Sequence, residues 1–481
     1  MQSVRTKFKS VCLRLGHTCQ NLTVHGPSYL ARKDIHLVYK VIYFIIYINV
    51  WIVATATIAK YYTSYQENII RFTTRTDYLD WNTTFPSITV CEVANIDRIS
   101  ALSQKLTHEN SVTMTNFIQD IAFFIGECLS CVNTCDSASI CHTNLTHLAS
   151  IYRSECNELF IGCKWNEKAI NCCETFKPIH TEYGICFSIN NYDRTKYPLY
   201  NVASASRREL GTLEISVTGD YEAFLHSRED VPFWNMEYDR RIMLHHGSYA
   251  NVIYSITDVV NEPEVYMTAP ETRQCRFPNE LPSNFVGFKH YSYSACIIQC
   301  RIDAQIILCN CTDHLSPVEY KSRYCDLEGL KCLTKHYEHL RKLKVPGVND
   351  TGLNCACLPS CVEPDYKVVA KRFRLQKENK GATIKFIISD RPFERVTRQI
   401  SLTTLDLVVA MGNCFGLCFG GSILSIMEVV YYLCLKRWKH DLILSKFVLQ
   451  LKVEQYLVSS LGPGFCAILT KKAVSYFTWP S

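Results

Sequence analysis

Leu407-Val-Val-Ala-Met-Gly-Asn-Cys-Phe-Gly-Leu-Cys-Phe-Gly-Gly-Ser-Ile-Leu-Ser-Ile-Met-Glu-Val-Val-Tyr-Tyr-Leu-Cys-Leu435 is apolar enough and long enough to cross a bilayer. Its middle carries Gly412, Gly416, Gly420 and Gly421, then Ser422, Ser425 and a lone acid, Glu428. A helix that serves only as an anchor has no need of these residues. An ionisable group inside a span costs about 2.5–3.5 kcal/mol on insertion scales, so it points to a pathway rather than a tether. The glycines also fit a second reading, because Gly412-x-x-x-Gly416-x-x-x-Gly420 is a double small-residue helix-packing pattern.

A second apolar run lies near the other end, Leu37–Ala59, with Lys40 and Asn49 as its polar interruptions. At ~1.5 Å per helical residue it reaches ~35 Å, enough for a ~30 Å hydrocarbon core. It starts too late and runs too long for a signal peptide. Arg5, Lys7, Lys9, Arg14, Arg32 and Lys33 precede it, and Lys436, Arg437 and Lys439 follow the later span. The positive-inside rule therefore places both termini in the cytosol. These flanking charges account for the formal net charge of +6 without a nucleic-acid partner. The expected organisation is a cytosolic N-terminus (1–36), a first span (37–60), an extracellular domain (61–404), a second span (405–435) and a cytosolic tail (436–481).

Cysteine usage agrees. The chain has 26 cysteines, and twenty of them fall between Cys91 and Cys361. A dense, even set in an oxidising compartment reads as a disulfide framework. Sequons at Asn82, Asn144 and Asn349 mark glycosylation sites in the same region. A fourth, at Asn310, has a cysteine as its middle residue. Cys296 and Cys300 share a face of an expected helix over 291–307, followed by Cys309-x-Cys311. Cys355-x-Cys357-x-x-x-Cys361 returns later with the spacings reversed. An antiparallel return would nest them as a ladder: Cys275 with Cys361, Cys296 with Cys357, Cys300 with Cys355, then Cys309 with Cys332 and Cys311 with Cys325. Such a ladder would make a stiff rod that transmits movement.

Cys128-Leu-Ser-Cys131 has the spacing of a zinc or redox site, but in a cysteine-dense extracellular segment a disulfide is the better reading. No nucleophile elbow, zinc-protease helix or P-loop signature is found, so the chain is not expected to be an enzyme or to carry a cofactor or metal. Ser87–Val90, the alternation of Leu213, Ile215 and Val217, 367–373 and 382–388 read as strands, and 96–125 as helical, giving an α+β domain.

Taken in order, several segments resemble one family: His25-Gly26 before the first span; Phe85-Pro86-Ser87-Ile88-Thr89-Val90-Cys91 after it; Thr181-Glu-Tyr-Gly184-Ile-Cys186-Phe187; Arg273-Gln-Cys275-Arg-Phe-Pro-Asn-Glu280; Cys355-Ala-Cys357-Leu-Pro-Ser-Cys361 with Tyr366; and Gly416-Leu417-x-x-Gly420-Gly421-Ser422-x-Leu424-Ser425-x-x-Glu428. They resemble the degenerin/epithelial sodium channel superfamily, and the Arg-x-Cys-Arg-Phe-Pro segment its insect pickpocket branch.

The resemblance implies a membrane protein of α+β class. Two transmembrane helices would flank a large disulfide-rich extracellular domain of clenched-hand, acid-sensing-channel-like form. It implies a trimer at the plasma membrane, conducting sodium ions and often blocked by amiloride. Its partners would be the bilayer, other subunits of the family and an extracellular ligand or mechanical stimulus. Cys91 would pair with Cys186, and Cys163 with Cys172 or Cys173; six stay unassigned, Cys128, Cys131, Cys135, Cys141, Cys156 and, with Cys172 taken, Cys173. His25-Gly26 would belong to gating.

Gly420, Gly421 and Ser422 match the selectivity filter, where an extended break would free backbone carbonyls. Around a three-fold axis Gly421, Ser425 and Glu428, on one face of a continuous helix, would stack small-residue, hydroxyl and carboxylate rings. At the gate, Val409 stands where relatives keep a small residue, and Gly412 is followed by Asn413 instead of a second glycine. A bulky residue at the Val409 position is associated in the family with channels that fail to close. This implies a subunit that leaks or works in a mixed trimer. No Trp precedes Cys275, so the resemblance does not extend to the proton gating of acid-sensing relatives.

Two other classes share features with this chain. A two-span cell-surface receptor or non-conducting regulatory subunit would not depend on Ser422 or Glu428. An ATP-gated trimeric channel would carry phosphate-binding lysines and fewer cysteines.

Overall fold

Leu213, Ile215 and Val217 alternate with Thr212, Glu214 and Ser216, and a strand of that pattern lays one face on a core. In the computed structural model the three apolar side chains are fully buried and the other three half-buried. The structure describes residues 26–32, 34–67, 70–76, 82–107, 112–132, 144–192, 200–203, 211–345, 347, 351–375, 381–390 and 394–431. His25, Cys135, Cys141, Asn349 and the tail after 435 lie outside the described residues. Two compact units emerge: Ile70–Ile400, and the flanking segments Met1–Ile69 with Ser401–Ser481.

In the first of these units the strands, in chain order, are β1 (Ile70–Arg75), β2 (Asn82–Thr84), β3 (Ser87–Ala94), β4 (Phe160–Trp165), β5 (Lys168–Ile170), β6 (Lys177–Thr181), β7 (Gly184–Ile189) and β8 (Asn201–Ala203). They continue with β9 (Thr212–Val217), β10 (Asp220–His226), β11 (Arg241–Leu244), β12 (Ser248–Asn261), β13 (Asp365–Leu375), β14 (Ala382–Ile388) and β15 (Arg395–Ile400). A five-stranded sheet has the order β11-β10-β3-β7-β6, and an eight-stranded sheet runs β1-β15-β12-β14-β9-β4-β5 with β13 on β12. The long β12 pairs in parallel with β14 along one stretch and with β15 along the next.

The two sheets face each other across one core. Ile88, Val90, Ala223 and Leu225 come from one sheet, and Ile215, Val252, Tyr254, Ile384 and Phe386 from the other. On the far side of the five-stranded sheet the Cys91–Cys186 disulfide packs with Ile179, Phe224 and Trp234.

A second core joins helices Ile96–Thr107, Val112–Ala122 and Leu145–Tyr152 to Leu330, Leu333 and Leu340. Beside it runs the ladder helix, Tyr293–Cys309, started by the Ser292 hydroxyl accepting from the Ala295 N–H at 3.1 Å. Cys275–Cys361, Cys296–Cys357 and Cys300–Cys355 are bonded along one side, and Cys309–Cys332 and Cys311–Cys325 at its far end. Elsewhere Cys163 bonds Cys172, Cys156 bonds Cys173, and Cys128 bonds Cys131. Each bridge typically contributes ~2–4 kcal/mol by restricting the unfolded chain.

Arg301 anchors the ladder helix to the sheets. It is 1 % exposed and donates to the Glu182 carboxylate, to Asn235 Oδ1 and to the Leu340 carbonyl at 2.9 Å. Its guanidinium lies 4.7 Å from the Trp234 ring centroid.

In the other unit the leading helix spans Leu37–Glu67, 31 residues, and is the one described helix long and apolar enough to cross a membrane. It continues past residue 60, so Tyr61, Tyr62 and Tyr65 ride on the same helix. The later apolar segment does not form one continuous helix. It divides into a trailing helix, Thr404–Phe419, and a short helix, Ile423–Val430.

Candidate pore segment

Thr403 starts the trailing helix: its hydroxyl accepts from the Asp406 N–H at 3.1 Å, and its own N–H donates to the Asp406 carboxylate at 2.9 Å. The helix stops at Gly420, which adopts φ 59° and ψ 20° and donates its N–H to the Gly416 carbonyl at 2.8 Å. That left-handed conformation is cheap for glycine and strained for other residues. At Gly421 a Cβ would fall 2.2 Å from the Phe415 ring, so this position too is built around glycine. Ser422 is extended, with φ −111° and ψ 172°, and caps the next helix. Its hydroxyl accepts from the Ser425 N–H, and its N–H donates to the Ser425 hydroxyl, both at 3.2 Å.

The break separates residues that sequence periodicity put on one face. Gly421 lies inside it, while Ser425 and Glu428 lie on the helix beyond, so the single-face arrangement of all three is corrected. Ser422 is exposed and Glu428 half-exposed, whereas Ser425 is 3 % exposed and completes the cap. A helix ending at Phe419 leaves last-turn carbonyls without i+4 donors and presents the negative end of its dipole. That is the electrostatics of a cation-attracting site.

Val409 and Gly412, one helical turn apart, are both exposed. A Cβ on Gly412 would meet open space, and one on Gly416 would meet the Gly421 carbonyl at 3.6 Å. Within this chain, then, these glycines do not pack against the leading helix. The contact runs instead through the Cys414 sulfur, 3.9 Å from the Ala54 carbonyl, and through Phe419. Phe419 is 1 % exposed and lies with its centroid 4.4 Å from the Trp51 ring and 6.3 Å from that of Tyr47. Cys414 and Cys418 are free thiols.

Gly26 opens the helical turn Pro27–Ala31, with φ 112°. The chain then reverses before Leu37, so this turn packs back along the leading helix. The Tyr29 and Tyr43 rings are tilted at 39° with centroids 4.4 Å apart, and Gly26 lies against Tyr47. Tyr47 is ten residues into the leading helix, ~15 Å from its start. Gly26, which precedes the first span in the sequence, therefore lies beside that helix.

The aromatic contacts were not singled out from sequence. The signal for them is Tyr43-x-x-x-Tyr47-x-x-x-Trp51, a stripe at helical spacing that composition alone hides inside an apolar run. In the body, Asn144 is exposed and its side chain caps helix Leu145–Tyr152, and Asn82 lies in β2. His245 and His246 both contact Asp220.

A disulfide-braced α+β body, preceded in the chain by a long apolar helix and followed by an apolar helix broken at Gly-Gly-Ser, has the build of a membrane channel subunit. Sequence comparison is specific about which. The family model described as amiloride-sensitive sodium channel matches residues 18–432. The sodium channel protein Nach of Drosophila ananassae is 23% identical over 86% of this chain and 85% of its own length. Pickpocket protein 11 of Drosophila melanogaster is 22% identical over 57% of this chain and 54% of its own. The bile acid-sensitive ion channel of Mus musculus is 24% identical over 57% and 58%. The chain belongs to the amiloride-sensitive sodium channel family, the degenerin/epithelial sodium channel superfamily, on its insect pickpocket side. It is a membrane protein of an ion-channel family, with a disulfide-rich extracellular domain, and not an enzyme.

Proposed function

We propose that the chain is a subunit of a trimeric, sodium-selective, amiloride-sensitive channel that is not gated by voltage. It works at the plasma membrane with both termini in the cytosol, and its extracellular domain receives a ligand or a mechanical stimulus. The observation that carries this reading is the break at Gly420-Gly421-Ser422. A monovalent cation must shed water and meet oxygen ligands in a narrow place. Non-helical backbone at membrane depth is tolerable where it is buried or lines water, and a pore supplies that setting. Gly420, Gly421 and Ser422 form the filter in this reading, Ser425 holds Ser422 in place, Glu428 adds a carboxylate ring, and Val409 with Gly412 forms the gate. His25 and Gly26 act in gating from the N-terminal side.

The test is voltage-clamp recording from cells expressing the full chain, alone and with a relative's subunit, with external sodium replaced by a large organic cation and with amiloride added. The reading expects an inward current that disappears on replacement and falls with amiloride. Surface expression without any such current, alone or in a mixed trimer, sinks it in favour of a non-conducting receptor or regulatory subunit.

A further inference from the structure

Two positions in the membrane unit have no room for a Cβ, and both face aromatic rings of one connected set. At Gly26, with φ 112°, a Cβ would lie 2.3 Å from Tyr47 Cε2; at Gly421 it would lie 2.2 Å from Phe415 Cε1. Between them the rings are continuous. Tyr47 meets Phe419 edge-on at 6.3 Å with an interplanar angle of 75°, and Phe419 meets Phe415 at 5.3 Å. Trp51 closes the set, 4.4 Å from Phe419 and 6.3 Å from Tyr47. Phe419 is the buried residue of the trailing helix, and it immediately precedes the left-handed Gly420. Close-packed rings do not deform, so a displaced ring has to move its neighbour.

We propose that Tyr47 is a positioning residue for conduction: through Phe419 and Phe415 it couples the placement of the Gly26 turn to the backbone break at Gly420–Ser422. The proposal rests on the channel reading and goes beyond it, because neither Tyr47 nor the two phenylalanines belongs to the filter or the gate assigned above. Part of the contact is ordinary packing along the helices, where buried Ala54 meets Cys414. At the break, in addition, a buried phenylalanine meets the ring to which the turn's glycine is fitted.

The experiment records the full chain under voltage clamp, with currents scaled to surface-biotinylated protein and the sodium-to-potassium permeability ratio read from bi-ionic reversal potentials. Tyr47→Ala is expected to lower the ratio several-fold at normal surface level, and Tyr47→Phe, which keeps the ring, to restore it. Gly26→Ala is expected to lower it too, with Tyr47→Ala adding little to Gly26→Ala, because both act through one contact. If Tyr47→Ala fails to reach the surface, Tyr47→Leu keeps apolar bulk without the ring and is expected to show the same fall. An unchanged ratio, or independent multiplicative effects of the two substitutions, would overturn the proposal and leave the channel reading standing. A wild-type chain that carries no current alone or in a mixed trimer would overturn both.

Discussion

Ser422 and Ser425 hold each other across the helix start, hydroxyl to N–H in both directions at 3.2 Å. The exchange fixes Ser422 in its extended conformation and so sets where the break ends. Losing a serine cap costs a helix about 1 kcal/mol. Ser422→Ala is expected to reduce sodium selectivity sharply, because it removes both the cap and the hydroxyl of the proposed filter. Ser425→Ala removes only the returning half of the cap and should produce a smaller fall. Equal effects in bi-ionic recordings would show that the Ser422 hydroxyl acts only through the cap, and an unchanged ratio in Ser425→Ala that the cap is irrelevant to selectivity.

Val409 is exposed on the trailing helix, one turn before Gly412. A subunit with a branched side chain at this proposed gate position is expected to pass current without a stimulus. Val409→Ala should cut that resting current several-fold while leaving the reversal potential where it was. A homomer silent at rest, and unchanged by the substitution, contradicts the prediction.

Arg301 and Glu182 form an ion pair buried at both ends. Removing one partner of such a pair typically costs about 3–5 kcal/mol, because the other is left charged and desolvated. Arg301→Leu should therefore lower the melting temperature of the detergent-solubilised chain markedly. Adding Glu182→Leu should recover much of the loss, since the stranded charge is then gone. A double variant as unstable as the single one would mean that the Asn235 and Leu340 contacts of Arg301 dominate instead.

Stability should fall as pH rises above neutrality. Burial, then the adjacent Asp230 charge, pushes the Glu363 carboxyl up to about 8 against the opposing pull of Arg240. Burial pushes Glu229 up to about 7. A carboxyl raised in the folded state binds more proton there than in the unfolded chain, so its favourable contribution is lost as pH climbs from the ordinary range through the raised value. His226 works the other way. Burial lowers it from 6.5 to about 4, so its contribution is lost on acidification between those values. Above about 6.5 only the acids act. The melting temperature should therefore decline from there to pH 8, and Glu363→Gln should flatten the decline. An undiminished slope in that variant would show that other groups carry it.

Much of this architecture is readable from local spacing. Two apolar runs, the period-two strand at Leu213–Val217 and the mirrored spacings around Cys296–Cys300 and Cys355–Cys361 are properties of short segments, and each has one economical structural answer. Spacing could not choose between Cys172 and Cys173 as the partner of Cys163. They sit in one helical turn, Cys172–Thr175, where neighbours point ~100° apart. Only the packed body decides that Cys172 faces Cys163 and Cys173 faces Cys156.

The sequence by itself determined the two apolar runs, the cysteine-rich body and the family, because hydropathy, spacing and motif order survive without knowledge of the fold. The tertiary structure alone decided that Gly421 leaves the helix that carries Ser425 and Glu428, that Gly26 rests on Tyr47, and that Arg301 finds Glu182 119 residues away. The physical reason is common to all three. A helix-face argument assumes an unbroken helix, and a contact made by chain reversal or across a fold depends on where distant segments come to rest, which no local pattern encodes.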